Sequence, residues 1–487
     1  MNEEEIKQLI KINPKQAAHF LSEYLRQDPC SSKHYLLYGD CLLKLNEWSK
    51  AKNAYEEALK NDPDCIPACF GLAQVLQYES NFSEAVFYLK TCVAAFPHQS
   101  VFLFQLGSCY LSLKNFPAAK KYLSDLIIYF PYHREGLVNL ASCLIEEKNY
   151  QEAIHHLATV HRMYPEHLPA LYNLACALME YTRFLQARDY FLLYLEKMPD
   201  DLEAHFHLGF TYLKLEEFIL AQKHFQKILI QDPNHLLSLH NLANIALQQN
   251  ERSVALGYYQ RILQLAPHDA IAGYLASALS KSSFPPQAPK QYIKALFDQY
   301  ASYFDQHLTE QLNYQTPQYL YDLWKKNQSL NSRLIRVLDL GCGTGLAGKL
   351  FKPYASKLVG VDLSKKMLEE AEKKVIYDNL YEEELIGFLK QHTETYDLIL
   401  LSDVLVYFGD LNRLFSLLIE HGSQFLFSIE TTEESDYFLN VHGRYQHSEA
   451  YVKKLLDDLK LHYKIKKLSL REQNQKSVPG AIFFCHV

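Results

Sequence analysis

The sequence predicts an α-solenoid of helical repeats followed by an open α/β domain. Three observations carry that expectation. Small residues, leucines and prolines recur at a constant step of 34 residues through the first 280 positions. The step is lost in a proline-rich stretch, Ser280 to Lys290. Beyond it the pattern changes to short apolar runs, the first of which leads into a glycine-rich turn at Asp339–Gly345.

The repeat signal is threefold. Prolines stand at Pro29, Pro63, Pro97, Pro131, Pro165, Pro199, Pro233 and Pro267, and alanines at Ala17, Ala51, Ala85, Ala119, Ala153, Ala187, Ala221 and Ala255. A third position is always small: Gly39, Ala73, Gly107, Ala141, Ala175, Gly209 and Ala243. Leucine precedes it from Leu72 onward, with Tyr38 in the first copy. Small residues let two helices approach, leucines fill the space between them, and proline ends the second helix because it lacks an N–H and clashes with the preceding turn. The pattern resembles the tetratricopeptide repeat family. Full copies run from about Ser32 to His268; residues 1–31 read as an N-terminal cap and residues 269–280 as a cap at the other end. The array alone implies a binding surface, never catalysis.

Composition narrows the function classes. With 48% apolar and 22% charged residues the chain can fold throughout, and 487 residues are too many for one core. A net charge of −7 gives no global attraction for nucleic acid or anionic lipid, so no nucleic-acid partner is expected. Glu3, Glu4 and Glu5 oppose the basic start of a secretory signal, and no apolar run is long enough to span a membrane. A cytoplasmic location is expected. Cys41, Cys109, Cys143 and Cys176 sit in apolar helical patterns and read as reduced core thiols. Cys65 and Cys69 also read as core, because no second Cys/His pair has matching ligand spacing; no metal is expected.

The segment rich in serine and proline, with Pro285, Pro286 and Pro289, reads as a boundary. The expected division is 1–280 repeat array, 281–290 linker and 291–487 α/β domain. Leu334–Leu338 is a strand-like run leading into Asp339-Leu340-Gly341-Cys342-Gly343-Thr344-Gly345. A helical stretch follows, then Leu358–Val361 and Asp362. Strand, glycine turn, helix, strand, acid is the plan of a nucleotide-binding sheet, in which glycines admit the ligand to the backbone and the acid accepts both ribose hydroxyls. A dinucleotide site prefers G-x-G-x-x-G. Here the order is G-x-G-x-G with Asp339 ahead of it. That suits S-adenosyl-L-methionine, which has a cationic amino group and no phosphate, better than NAD.

These residues resemble the first two motifs of class I methyltransferases, the second being Val361-Asp362-Leu363-Ser364 with Met367-Leu368. The resemblance implies a Rossmann-like sheet and places Glu384 near the adenine, although Glu382 and Glu383 adjoin it and a solvated acidic face is an open alternative. Tyr396–Leu401 reads as the fourth strand, with Ser402 and Asp403 at its ligand-binding end. Gln424–Ile429, followed by Glu430, reads as another strand, and Tyr463–Leu470 with Ala481–Val487 as a terminal antiparallel hairpin. Leu296–Ala301, Phe304-Asp305, His307-Leu308, Asp403–Tyr407, Gly409–Leu411, Gly443–Tyr445 and His447-Ser448 together resemble a bacterial group of methyltransferases that carry tetratricopeptide repeats. The leading helix, with Tyr300 and Phe304, resembles a lid that closes over the cofactor; an ordinary amphipathic helix packed on the sheet is the alternative.

Methyl transfer chiefly requires alignment and exclusion of water. The expected cofactor residues are Asp339, Gly341, Gly343, Gly345, Asp362, Glu384, Ser402 and Tyr300. The catalytic candidates are Asp403, Tyr445 and His447, with Arg444 able either to hold an anionic group or to pair with an acid in the fold. The repeat array is expected to recruit a protein or peptide. Leu36, Phe70, Phe104, Val138, Tyr172, Phe206 and His240 form an apolar row, and Gln105, Asn139, Asn173, His207 and Asn241 a mostly amide row able to pair with a peptide backbone. The amide row resembles the asparagine ladder of the O-linked N-acetylglucosamine transferase. A small-molecule acceptor, or a scaffold with an inactive cofactor domain, are the competing readings.

Overall fold

The computed structural model describes all residues except 1–2, 29–30, 282–283, 302–303, 307, 309–311, 313, 328–333, 435 and 474–475, and the side chains of 299, 473 and 476. Pro29 and His307 therefore lie outside the described residues. The chain forms two compact units, Met1–Pro233 and Asn234–Val487.

The first unit is a series of helical hairpins. Helices such as Ser32–Lys44 and Trp48–Asn61 alternate, and the pattern repeats to Phe218–Gln231. Each member of the alanine series, from Ala17 to Ala221, is 0% exposed, as are Ala73, Ala141 and Ala175. A Cβ at Gly39 would stand 2.6 Å from the Tyr55 ring, so the bulk of the facing residue dictates glycine there. The prolines act as expected. The residue before each described proline leaves the helical region, with Asp62 fully extended at φ −147° and ψ 92°, and the helix stops. Within each hairpin the turn is closed by a left-handed residue: Asn46, Ser80, Lys114, Lys148, Thr182 and Glu216, with φ between 54° and 60°. None is glycine, so each turn carries a small conformational cost. The described cysteines are free thiols, and burial pushes that of Cys143 up to about 11 and that of Cys41 to about 12.

The second unit begins with the helices Leu236–Gln248, Arg252–Leu265 and Ala270–Ser280. Helices Lys290–Tyr300 and Thr316–Lys326 then lead into the sheet. Its strands are β1 (Ile335–Leu340), β2 (Ala355–Asp362), β3 (Asn379–Glu382), β4 (Leu398–Leu401) and β5 (Gln424–Glu430), followed by a small ribbon of β6 (Tyr437–Leu439) and β7 (Tyr445–His447), and by β8 (His462–Gln473) and β9 (Lys476–His486). The order across the large sheet is β3-β2-β1-β4-β5-β9-β8. Its first five strands are parallel, and β9 and β8 are the expected antiparallel hairpin. Parallel strands covered on both faces read as continuous apolar runs, and Leu398 to Leu401 are all 0% exposed. One face packs Leu320, Trp324 and Phe351 against Val337, Leu400 and Leu426. Strand order reverses between β1 and β4, which opens a crevice at their C-terminal ends. No helix among the described residues is long and apolar enough to cross a membrane.

Candidate active site

A cavity of about 260 Å³ occupies that crevice. The loop after β1 shapes one end. Gly341, Gly343 and Gly345 all have positive φ, 70°, 54° and 90°. A Cβ on Gly341 would lie 2.5 Å from Val404 and one on Gly345 2.9 Å from Tyr377, so the loop tolerates no side chain at either position. The Gly343 N–H donates to Asp362 Oδ2 at 2.9 Å and the Ser364 N–H to Asp362 Oδ1 at 2.8 Å. The Leu363 N–H also stabilises this carboxylate, so backbone donors fix its orientation toward the cavity. Burial raises the Asp362 carboxyl from its ordinary range, against those backbone bonds.

Asp339 is 1% exposed and borders the same cavity. Its Oδ2 accepts from the Tyr377 hydroxyl at 2.6 Å, while Oδ1 is buried with no hydrogen-bond partner among the described residues. Burial pushes this carboxyl up to about 7 against the Tyr377 hydroxyl, with the nearby Asp362 adding to the rise; the Gly348 N–H also lowers it, but makes no hydrogen bond of normal geometry to Oδ1. A buried acceptor left open in this way suits a cationic donor from a ligand.

Of the other expected cofactor residues, Glu384, Ser402 and Tyr300 border the cavity, whereas Gly345 does not and packs against Tyr377 and Ile376. Glu384 caps the helix Leu385–Gln391 through Gly387 N–H at 3.0 Å and lies 3.5 Å from Lys290. The Ser402 hydroxyl is 3.2 Å from that of Tyr314. Tyr300 ends the helix Lys290–Tyr300, whose Phe297 joins it in the lining with Phe304 beyond. Polar contacts fix this segment over the loops: Ser364 Oγ donates to Asp298 at 2.5 Å, Lys294 reaches Glu382 at 2.6 Å, and Thr344 and Lys374 both bond Asp305.

The far end is a buried charge cluster. Asp403 follows β4 in the left-handed region, φ 62°, and its N–H donates to Ser428 Oγ at 2.9 Å. Arg444 donates through Nη2 to Asp403 Oδ2 at 3.0 Å, through Nε to Glu430 at 2.7 Å, and through Nη1 to the Tyr407 hydroxyl at 3.2 Å. Arg471 donates to Glu430 at 2.7 Å and lies 3.5 Å from Asp403. Burial would raise the Asp403 carboxyl, but the two guanidinium charges outweigh it and hold it below the usual range. Arg444 thus pairs with acids of the fold, as one of its two sequence readings allowed. Arg471 and Tyr314 were not foreseen. Arg471 lies in the terminal hairpin, far along the chain and without a local motif, whereas Glu430 was marked by its place at the end of β5.

His447 and Tyr445 require correction. Both are 0% exposed and neither borders the cavity. The His447 Nε2–H donates to the Gly409 carbonyl at 3.2 Å, and burial lowers the imidazole to about 4. The Tyr445 hydroxyl donates to the Pro285 carbonyl. Successive side chains of an extended segment point to opposite sides, so Arg444 turns to the cavity and Tyr445 away from it. The proline segment is more than a tether: Ala288 N–H donates to Tyr407 O at 2.8 Å, Gly409 N–H to Pro286 O at 2.8 Å, and Gln287 pairs with Phe408.

The rows on the repeats are partly occupied by the fold itself. Phe70 packs on Phe102, Phe104 on His133, Tyr172 on Tyr194 and Phe206 on Phe225, with ring centroids 5.1 to 5.7 Å apart. In the amide row Asn139 donates to Ser108 Oγ at 3.0 Å and His207 stacks on Phe191. Gln105 and Asn173 are half-buried.

Comparison with known proteins agrees with this architecture. A model of a methyltransferase domain matches residues 338–421. Tetratricopeptide repeat models match residues 13–76, 102–131, 144–208 and 238–271. The chain is a tetratricopeptide-repeat protein that contains a methyltransferase domain. A curated Saccharomyces cerevisiae protein, "Probable S-adenosylmethionine-dependent methyltransferase CRG1", is 30% identical over 137 residues, which is 25% of this chain and 46% of that protein. The chain thus spans about half the length of the curated relative it matches. Among solved structures, YrrB, a TPR protein with an unusual peptide-binding site, is 21% identical over 38% of this chain and 96% of its own, with a TM-score of 0.36. The C-terminal part of a TPR repeat-containing protein from Cytophaga hutchinsonii is 15% identical over 49% of this chain and 97% of its own, with a TM-score of 0.42.

Proposed function

We propose that the chain is an S-adenosylmethionine-dependent methyltransferase whose repeat array recruits a protein or peptide. The observation that carries the cofactor reading is the open Asp339 Oδ1, buried beside a glycine loop that admits no side chain. It fits an ammonium group, and Asp362, its two oxygens already aligned by backbone N–H groups, fits a ribose diol. S-adenosylmethionine supplies a methyl group activated by a sulfonium. The chain's own residues then bind, orient and exclude water. Asp339 and Asp362 hold the two polar ends, with Gly341 and Gly343 giving close backbone approach and Gly345 setting the turn into the following helix. Phe297, Tyr300 and Phe304 cover the cavity with apolar surface. Asp403 and Arg444, locked by Glu430, Arg471 and Tyr407, set a rigid wall against which an acceptor is aligned. Glu384 and Ser402 complete the lining.

The test is turnover of the full chain against a cell extract with labelled S-adenosylmethionine, read by mass spectrometry. A product that carries the labelled methyl group, and whose formation stops in Asp362→Ala, supports the reading; cofactor binding with no labelled product supports an inactive scaffold instead. For the array, the half-buried amide row supports peptide presentation, with Gln105, Asn139 and Asn173 as the residues that would face it.

A further inference from the structure

We infer that the methyl acceptor is an amine nitrogen, held by the Oδ1 carboxylate oxygen of Asp403. This rests on the cofactor reading above and goes beyond it by naming the acceptor class. Asp403 borders the cavity just after β4, and everything else about it is fixed. Its N–H is tied to Ser428 and its Oδ2 to Arg444, while Oδ1 is buried and has no hydrogen-bond partner among the described residues. A buried carboxylate oxygen without a donor is costly, so the group that completes it belongs to the ligand.

The chemistry of that oxygen selects the ligand. It accepts and cannot donate, so the acceptor must present N–H or O–H. An acceptor carboxylate would bring a second negative charge against it in a dry site, where like charges repel strongly. Between nitrogen and hydroxyl the choice falls on the need for a base. A hydroxyl must give up its proton to attack. Asp403 is held ionised by two guanidinium groups and is a weak base, Glu430 is bonded by both Arg444 and Arg471, and His447 lies outside the cavity. An aliphatic amine is an ammonium at neutral pH, so it gives one proton to solvent before it is enclosed; once neutral it attacks without a base in the site. Its lone pair forms the new N–C bond, the C–S pair returns to sulfur, and the proton of the resulting ammonium leaves to solvent. Asp403 orients the N–H so that the lone pair faces the methyl carbon, and it stabilises the positive charge that develops on nitrogen.

The test uses the full chain and two cofactor analogues. Sinefungin carries an amine where the cofactor carries its methyl sulfonium; S-adenosylhomocysteine carries nothing there. Calorimetry should show sinefungin at least ten-fold tighter than S-adenosylhomocysteine, with that advantage reduced to within two-fold in Asp403→Asn while S-adenosylhomocysteine affinity is kept. Failure of S-adenosylhomocysteine to bind the unaltered chain overturns the cofactor reading, a separate result. Binding of S-adenosylhomocysteine with no sinefungin advantage, or an advantage that survives Asp403→Asn, overturns the amine assignment. A second measurement needs no variant. Methyl label transferred to cell-extract material should resist alkali and reside on nitrogen by fragmentation; release as methanol would reveal a carboxyl ester and overturn the proposal.

Discussion

The Tyr274 hydroxyl donates to the Gly443 carbonyl at 3.0 Å, so the helix Ala270–Ser280, which ends the repeat pattern, is bonded to the loop that carries Arg444. Tyr292 adds a bond to the His442 carbonyl at 3.3 Å. The end of the array and the candidate acceptor wall are therefore one packed structure. Tyr274→Phe leaves the buried Gly443 carbonyl unsatisfied, at a cost of about 1–3 kcal/mol. Chemical denaturation of the full chain should register that loss. An unchanged midpoint would mean that the bond contributes nothing net.

If Asp339 holds the cofactor's ammonium as proposed, cofactor affinity should depend on pH. The Asp339 carboxyl sits at about 7 in the ligand-free fold. A ligand ammonium binds the ionised form, so a proton is released on binding. Affinity for S-adenosylhomocysteine should rise as pH is raised through about 7 and level off above it, and Asp339→Asn should flatten the curve. Stability of the free protein runs the other way. A carboxyl raised from 3.8 contributes fully below that value, and the contribution is lost as pH rises through about 7. Calorimetric titrations across that interval check the first trend and thermal melts check the second.

Thr182 is the costliest of the hairpin turns. It is β-branched and holds φ at 60°, where Asn46, in the equivalent turn of an earlier hairpin, is at ease. Thr182→Asn should stabilise the first unit by about 0.5–1 kcal/mol, seen as a higher melting temperature with no change in helix content by circular dichroism.

Peptide presentation by the array has its own test. Replacing Gln105, Asn139 and Asn173 with alanine should leave S-adenosylhomocysteine binding intact, since Asp339, Asp362 and the glycine loop all lie in the second unit. The same change should lower turnover of a protein acceptor at least ten-fold. Equal turnover of the natural acceptor would count against the amide row.

The parts legible in the sequence were those written in local chemistry. The proline step marked helix ends because the residue before proline is driven out of the helical region, and the glycine spacing after β1 marked positive-φ positions that no other residue fills. Strand β3 was missed because Asn379–Glu382 is short, polar and at the sheet edge, with none of the apolar signal of β4. The failures at the site share one cause. His447 and Tyr445 carry reactive groups, and residue type alone does not reveal which way an extended segment turns them. The cluster joins Asp403 after β4, Glu430 at the end of β5, Arg444 just before β7 and Arg471 in β8, which no spacing connects. Only the sheet order brings them together.

The most direct test of the account is a calorimetric titration of the full chain with S-adenosylhomocysteine and, separately, with NAD. The protein should show one site for S-adenosylhomocysteine, no heat of binding for NAD, and a loss of about 2 kcal/mol in Asp362→Ala from removal of a charged hydrogen-bond acceptor. Binding of NAD without response to S-adenosylhomocysteine, or unchanged affinity in Asp362→Ala, would contradict it.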